Sequence, residues 1–198
     1  MLPNSLKNLI ENLKSLPGIG GKTAERLAFS MLSFDNNHLT NFSNAIIDVR
    51  DKITNCKLCG NIAESDLCSI CSNNQRDFST IFVVEKPKDI ILFEKLGVYK
   101  GIYHVLQGLI SPLDGIGPDD IALSELLNRI DNEDIKEVIL ALKPSIEGET
   151  TMQYIKKLLE DKNVKVSKIA TGVPIGTDME YIDSLTLELV IDERKKLN

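Results

Sequence analysis

Four cysteines carry the strongest chemical signal in this chain: Cys56-Lys-Leu-Cys59, an eight-residue spacer, and Cys68-Ser-Ile-Cys71. They are its only cysteines and fall within sixteen residues. Each Cys-x-x-Cys turn offers two thiolates to one ion, and together Cys56, Cys59, Cys68 and Cys71 complete a tetrahedral shell. Such a shell leaves no position for water, so the zinc it predicts, one per chain, holds structure and does no chemistry. Gly60 follows Cys59, where a tight metal knuckle needs a residue that tolerates positive φ. The spacer is shorter than the usual span of about fifteen to twenty residues, which implies a compact finger. Disulfides and an iron–sulfur cluster draw on the same residues. Disulfides suit a secreted chain, and Met1-Leu-Pro-Asn-Ser shows no basic-then-apolar signal segment. A redox Cys-x-x-Cys needs only one pair, at a strand-to-helix junction.

A second chemistry lies in Leu16-Pro-Gly-Ile-Gly-Gly-Lys-Thr-Ala24, set between two runs of helical apolar spacing. Gly18 and Gly20 let backbone N–H groups approach a phosphate, and the next helix turns its positive dipole end to the same anion. Lys22, Thr23 and Arg26 fall on the first turns of that helix and add charge-assisted contacts. Nothing in the motif reads a base. The sequence predicts a helix-hairpin-helix that binds DNA without sequence preference; a plain Pro-Gly loop between helices is the blander alternative. Gly20-Gly-Lys-Thr23 also imitates the end of a P-loop, but Leu16 stands where that motif needs its first glycine, and helix precedes it where a strand should.

Acidic residues form a third group. Glu85 follows the apolar run Ile81–Val84, at the carboxyl edge of an expected strand. Glu147 and Glu149 flank Gly148 beyond the apolar run Val138–Leu142. Together these acids are candidates for Mg²⁺; alternatively Glu149 and Thr150 belong to a helix N-terminus, where carboxylates favour the dipole. Ser111-Pro-Leu-Asp-Gly-Ile-Gly-Pro-Asp-Asp120 is a long Gly/Pro/Asp loop of the kind used for function or assembly, unless Asp119 or Asp120 merely caps the following helix. His38 and His104 read as surface or core histidines, since the cysteines already fill their metal's shell.

The elements that position these groups follow from periodicity. Helical spacing covers Leu6–Leu13, Ala24–Leu32 and Asn41–Ile53. After Cys71, strands at Ile81–Val84, Tyr103–Leu106, Val138–Leu142 and Val164–Ala170 alternate with helices at Asp89–Leu96, Ile121–Ile130 and Thr151–Leu159. That alternation predicts βαβ units and a mostly parallel sheet. The chain of 198 residues, 42% apolar, is long enough for one to three small units. It holds no apolar run of the ~20 residues a membrane span requires, which predicts a cytoplasmic protein with no membrane partner, nucleoid-associated if the hairpin binds DNA as expected. Net charge is −6, yet residues 1–34 carry +2 and the remainder −8, so any DNA contact belongs to the N-terminal end. Aromatic content of 5% without tryptophan argues against a base-stacking platform.

In order and identity, these parts resemble the bacterial recombination mediator family RecR over nearly the whole chain. The resemblance rests on Leu16–Ala24, Cys68-Ser-Ile-Cys71-Ser-Asn, Val83-Val-Glu85, Leu109–Asp120, Val138-Ile-Leu-Ala, Glu147-Gly-Glu149 and Gly172-Val-Pro-Ile-Gly176. It implies an α/β multi-unit architecture: a helix-hairpin-helix domain (1–54), a four-cysteine zinc finger (55–76), a Toprim domain (77–172) and a C-terminal assembly tail (173–198). It implies a homo-oligomer, dimer or tetrameric ring, that assembles through the N-terminal helices and the tail. Such a protein is expected to act with the mediator proteins RecO and RecF, loading recombinase onto single-stranded DNA in repair, without catalysis. Catalytic Toprim members pair the first glutamate with Asp-x-Asp after a later strand. Here Leu140-Ala-Leu-Lys-Pro144 supplies no such pair, and Lys143 repels Mg²⁺. A Mg²⁺-dependent nuclease or primase-like enzyme using Glu85, Glu147 and Glu149 is the alternative. Without a metal role, Glu147 and Glu149 are expected to face a basic patch on a protein partner. The spacer Gly60–Leu67 has Glu64 and Asp66 and no basic residue, so the finger, standing between hairpin and Toprim sheet, is expected to fix how one is held against the other and not to read DNA.

Overall fold

Small side chains let two helices close on each other at the N-terminal end. The structure, a computed structural model, describes residues 2–170, 172–174, 176–192 and 194. Its contacts divide into two units, Met1–Ile53 and Thr54–Asn198. In the first, α1 (Asn4–Lys14) lays Leu6 and Ile10 on Ala24 and Ala28 of α2 (Gly21–Met31). Because the alanines carry only a methyl, the backbones approach closely. Leu9, Leu13 and Ile19 seal the margin. Helix α3 (Asn36–Lys52) starts at Asp35, whose carboxylate accepts from the His38 N–H at 2.8 Å. The His38 ring stacks on Phe34 with centroids 4.1 Å apart. None of the α3 residues is buried, and Phe42, Ile46, Ile47 and Val49 stand in solvent.

The second unit begins with a short antiparallel ribbon, β1 (Thr54–Asn55) with β2 (Ile62–Ala63). Four parallel strands follow: β3 (Asp77–Val84), β4 (Gly101–Val105), β5 (Glu137–Ala141) and β6 (Lys165–Lys168), in spatial order β4-β3-β5-β6. Helices α4 (Pro87–Leu96), α5 (Leu123–Asn132) and α6 (Ile146–Leu159) lie between them in sequence. This is the alternation the periodicity predicts. Successive residues of a strand point to opposite faces, and both faces of the central strands are buried. Ile81, Val83, Ile102, Val138 and Leu140 enter a core with α5 and α6. Phe82, Val84, Tyr103, Val105 and Ala141 enter a second core with Ile90 of α4 and the four cysteines. The finger therefore acts as part of one layer covering the sheet.

Helix α3 begins at Asn36 and β3 at Asp77, earlier than the expected Asn41 and Ile81, and two further differences bear on the candidate site. Helix α6 starts at Ile146, not near Thr151, because Ser145 caps it: its hydroxyl accepts from the Gly148 N–H at 3.2 Å. A side chain on Gly148 would meet the Lys143 carbonyl at 2.0 Å, so only glycine lets the helix begin so close to β5. The 111–120 segment is ordered as two 3₁₀ turns, Pro112–Asp114 and Pro118–Asp120. Neither Asp119 nor Asp120 caps α5, whose N-cap is Ala122; the Asp120 carboxylate instead accepts from the Gly117 N–H at 2.7 Å. In the tail, α7 spans Ser184–Asp192. The assembly role expected for 173–198 falls partly on Ile175, Glu193 and 195–198, which lie outside the described residues. Among the described residues no helix is long and apolar enough to cross a membrane.

Candidate metal centre and nucleic-acid interface

The β1–β2 ribbon and two turns bring the cysteines together. Cys56 N–H donates to the Asn61 carbonyl at 2.7 Å, and Gly60 N–H returns to the Cys56 carbonyl at 2.9 Å. Gly60 takes φ of +75°, as the knuckle requires. The second knuckle closes through Ser72 N–H on the Cys68 carbonyl at 3.0 Å. All four Sγ atoms lie within 4.8 Å of one another and all four residues are buried. Cys59 Sγ and Cys68 Sγ are 3.7 Å apart. That is far beyond the ~2.05 Å of a disulfide and close to the edge, about 3.8 Å, of a tetrahedron with Zn–S bonds of about 2.3 Å. The thiols are free of disulfides, and the quartet fits a structural zinc.

Crowding sets the protonation of this cluster when no cation offsets its charge. The hydrogen bond to Cys68, helped by burial, pushes the Cys59 thiol up to about 12. Hydrogen bonds with Cys59 and Cys68 raise Cys71 as well, while the bonds Cys68 makes with Cys59 and Cys71 lower its own value. Thiol protons must therefore be exchanged for a cation when the quartet takes up metal. The finger is bolted to the sheet by the Val105 N–H, which donates to the Cys59 carbonyl at 2.8 Å. A Cβ on Gly60 would meet Val105 Cβ at 3.3 Å. Lys57 pairs with Asp66 of the spacer at 2.7 Å, so that acid faces the finger's own lysine.

In the N-terminal unit the hairpin turn closes with the Ile19 N–H on the Leu16 carbonyl at 3.1 Å, and Gly18 takes φ of +82°. Gly20, the N-cap of α2, has ordinary extended φ and provides no side-chain cap. A Cβ there would touch nothing within 4 Å. The fold itself does not require glycine at 20, whereas a ligand approaching the backbone would. The first α2 amides, with exposed Lys22 and Arg26 and half-buried Thr23, form one basic corner.

The three candidate acids do not converge. Glu85 follows β3 and pairs with Lys86 at 3.0 Å, in a cleft shared with Lys88, Asp89, Leu92 and Lys143. Glu147 and Glu149 stand instead in the first turn of α6. The Ser145 hydroxyl donates to Glu147 at 2.7 Å and holds its carboxyl below the usual range. Glu149 lies 3.6 Å from Lys168. Among the described residues, the cysteine quartet is the cluster close enough to share a metal, and Glu85, Glu147 and Glu149 form none. For Glu147 and Glu149, in the first turn of α6, the helix-start reading is the one the geometry supports. Sequence reasoning missed two things: that the finger packs on β4, and that Leu113 and Ile146 stand out in solvent. No local pattern encodes either, since both depend on which elements meet.

Comparison with known proteins agrees with these parts. Residues 6–50 match the family model described as RecR, helix-hairpin-helix. Residues 53–73 match the model of the RecR four-cysteine zinc finger domain, and residues 79–170 match the Toprim domain. The chain is similar to a protein of Staphylococcus haemolyticus (strain JCSC1435) named Recombination protein RecR. The two are 46% identical over 195 residues, covering 98% of each.

Proposed function

This chain belongs to the RecR family of recombination proteins, and on that premise we propose that it acts as a non-enzymatic, DNA-clamping mediator. The observation that carries the reading is the basic corner at the start of α2, where an uncapped helix end, open Gly20, Lys22 and Arg26 meet. Gly18 shapes the turn, Thr23 adds a hydroxyl, and the α2 dipole supplies a fixed positive end. Such contacts bind phosphate whatever the sequence. A chain of net charge −6 needs several weak contacts at once, and a homo-oligomeric ring would supply them as avidity. The unburied apolar residues of α3 support assembly through the N-terminal helices, with the 173–198 tail as the second contact. RecO and RecF are the proposed protein partners, and Glu147 and Glu149 the acids that face a basic patch on one of them. Glu85, held by Lys86 in a cleft of its own, is assigned to partner binding and to no Mg²⁺ chemistry.

The test is fluorescence anisotropy with single-stranded and duplex probes across a salt series. Lys22→Ala with Arg26→Ala should weaken all sequences alike and flatten the log K against log salt slope by up to about two units. Strong binding with an unchanged slope would move the DNA site elsewhere. Glu147→Gln with Glu149→Gln should weaken RecO binding in calorimetry, and unchanged affinity would remove that role.

A further inference from the structure

One leucine stands almost wholly in solvent on a loop whose backbone is closed beneath it. Leu113 is 98% exposed, although the segment around it is tightly closed. Ser111 and Ile116 exchange both backbone bonds, at 3.0 and 2.9 Å, and the Asp114 and Gly115 N–H groups return to Ser111 and Pro112. The Ser111 hydroxyl donates to Asp114 at 2.6 Å, and Gly115 closes the tip at φ of +72°. Beneath it Ile110 and Ser111 are buried, and the Ile110 N–H donates to Thr151 Oγ1 of α6 at 2.9 Å. That hydroxyl in turn donates to the Glu147 carbonyl at 2.6 Å. The tip is thus tied to the first turns of α6, where Ile146 is 79% exposed.

We propose that this tip, with Leu113 at its centre and the start of α6 beside it, is a preformed protein-docking knob. Its partner presents an apolar socket rimmed by arginine or lysine. The proposal rests on the reading above that Glu147 and Glu149 face a partner's basic patch, and it adds the apolar anchor. Charge decides the class of partner. Asp114, Asp119 and Asp120 of the same loop are exposed, and residues 106–128 contain no lysine or arginine. Phosphate-bearing surfaces, nucleic acid or lipid, are repelled by such a loop, while a basic protein surface is attracted. Rigidity explains why the leucine is presented on a closed tip: an anchor already ordered loses little entropy on docking. Central apolar anchors of this kind carry most of an interface's affinity.

The probes are the purified RecO and RecF proteins, titrated calorimetrically against the full chain. Leu113→Asp should lower affinity for one of them by ~tenfold or more, whereas Leu113→Met should keep most of it. Because the side chain touches solvent, the melting temperature, oligomer mass and DNA affinity of Leu113→Asp should match the wild type. Leu113→Asp binding both probes as well as wild type overturns the proposal, even if Glu147→Gln with Glu149→Gln weakens binding and so preserves the acidic reading. The reverse result keeps the knob and removes the acids. A changed oligomer mass would mean that a second copy occupies the site, and a changed DNA affinity that DNA does. Either overturns the proposal, and wild type binding neither probe overturns both readings.

Discussion

Acidification should destabilise this fold through one buried histidine. His104 is 1% exposed on β4. Its Nε2–H donates to the Ala122 carbonyl at 2.6 Å, and Nδ1 has no hydrogen-bond partner among the described residues. Burial is the main reason its pKa falls to about 4, and Arg129 on α5 adds repulsion. The Ala122 bond and Glu125 work in the opposite direction. Arg129 is itself fixed, donating to the Tyr103 carbonyl at 2.8 Å and pairing with Glu133. The folded value lies below the ~6.5 of an unfolded histidine, so the unfolded chain takes up the proton first. Stability is therefore fully present above about pH 6.5 and is lost as pH falls toward 4. With those values the loss is ~2 kcal/mol at pH 5 and approaches ~3 kcal/mol below pH 4. Urea unfolding followed by circular dichroism from pH 8 to 4.5 measures it, with His104→Gln as the comparison. Titration of carboxylates and zinc thiolates is common to both proteins and cancels in the difference. Wild-type stability should fall with acid more steeply than the variant's. Parallel curves, or a folded His104 ring resonance titrating near 6.5, would refute the reasoning.

Two further outcomes follow from packing. Chelating zinc, or Cys59→Ser, should lower the melting temperature by about 10 °C or more, because the finger covers Tyr103 and Val105 of the sheet. Lost DNA binding at unchanged melting temperature and oligomer mass would make the finger a DNA reader instead. Gly148→Ala would ordinarily stabilise a helix, but here its Cβ meets the Lys143 carbonyl at 2.0 Å. Urea unfolding should show a loss of about 1–3 kcal/mol, and a gain would mean that α6 starts elsewhere.

Local chemistry was legible in the residues themselves. Cysteine spacing announced the metal site, because two knuckles impose their own geometry over a few residues. The Leu16–Ala24 turn announced the hairpin, since Gly18 must take positive φ and the flanking apolar spacing must be helical. Continuous apolar runs at Ile81–Val84 and Val138–Leu142 announced strands buried on both faces, and hence a parallel sheet. Tertiary structure decided the rest. The placement of Glu147 and Glu149 in a capped first turn, apart from Glu85, depends on Ser145 and on the close approach that Gly148 permits. Whether the finger faces DNA or the sheet is decided by Val105 reaching the Cys59 carbonyl, a contact between residues 46 apart in sequence. His104 and Leu113 are only nine residues apart, yet the polar ring is sealed in the core and the apolar side chain stands in solvent. Sequence by itself determined the donors, turns and periods, because these act over neighbouring residues. Burial and convergence are properties of distant segments brought together, and only the packed fold determines them.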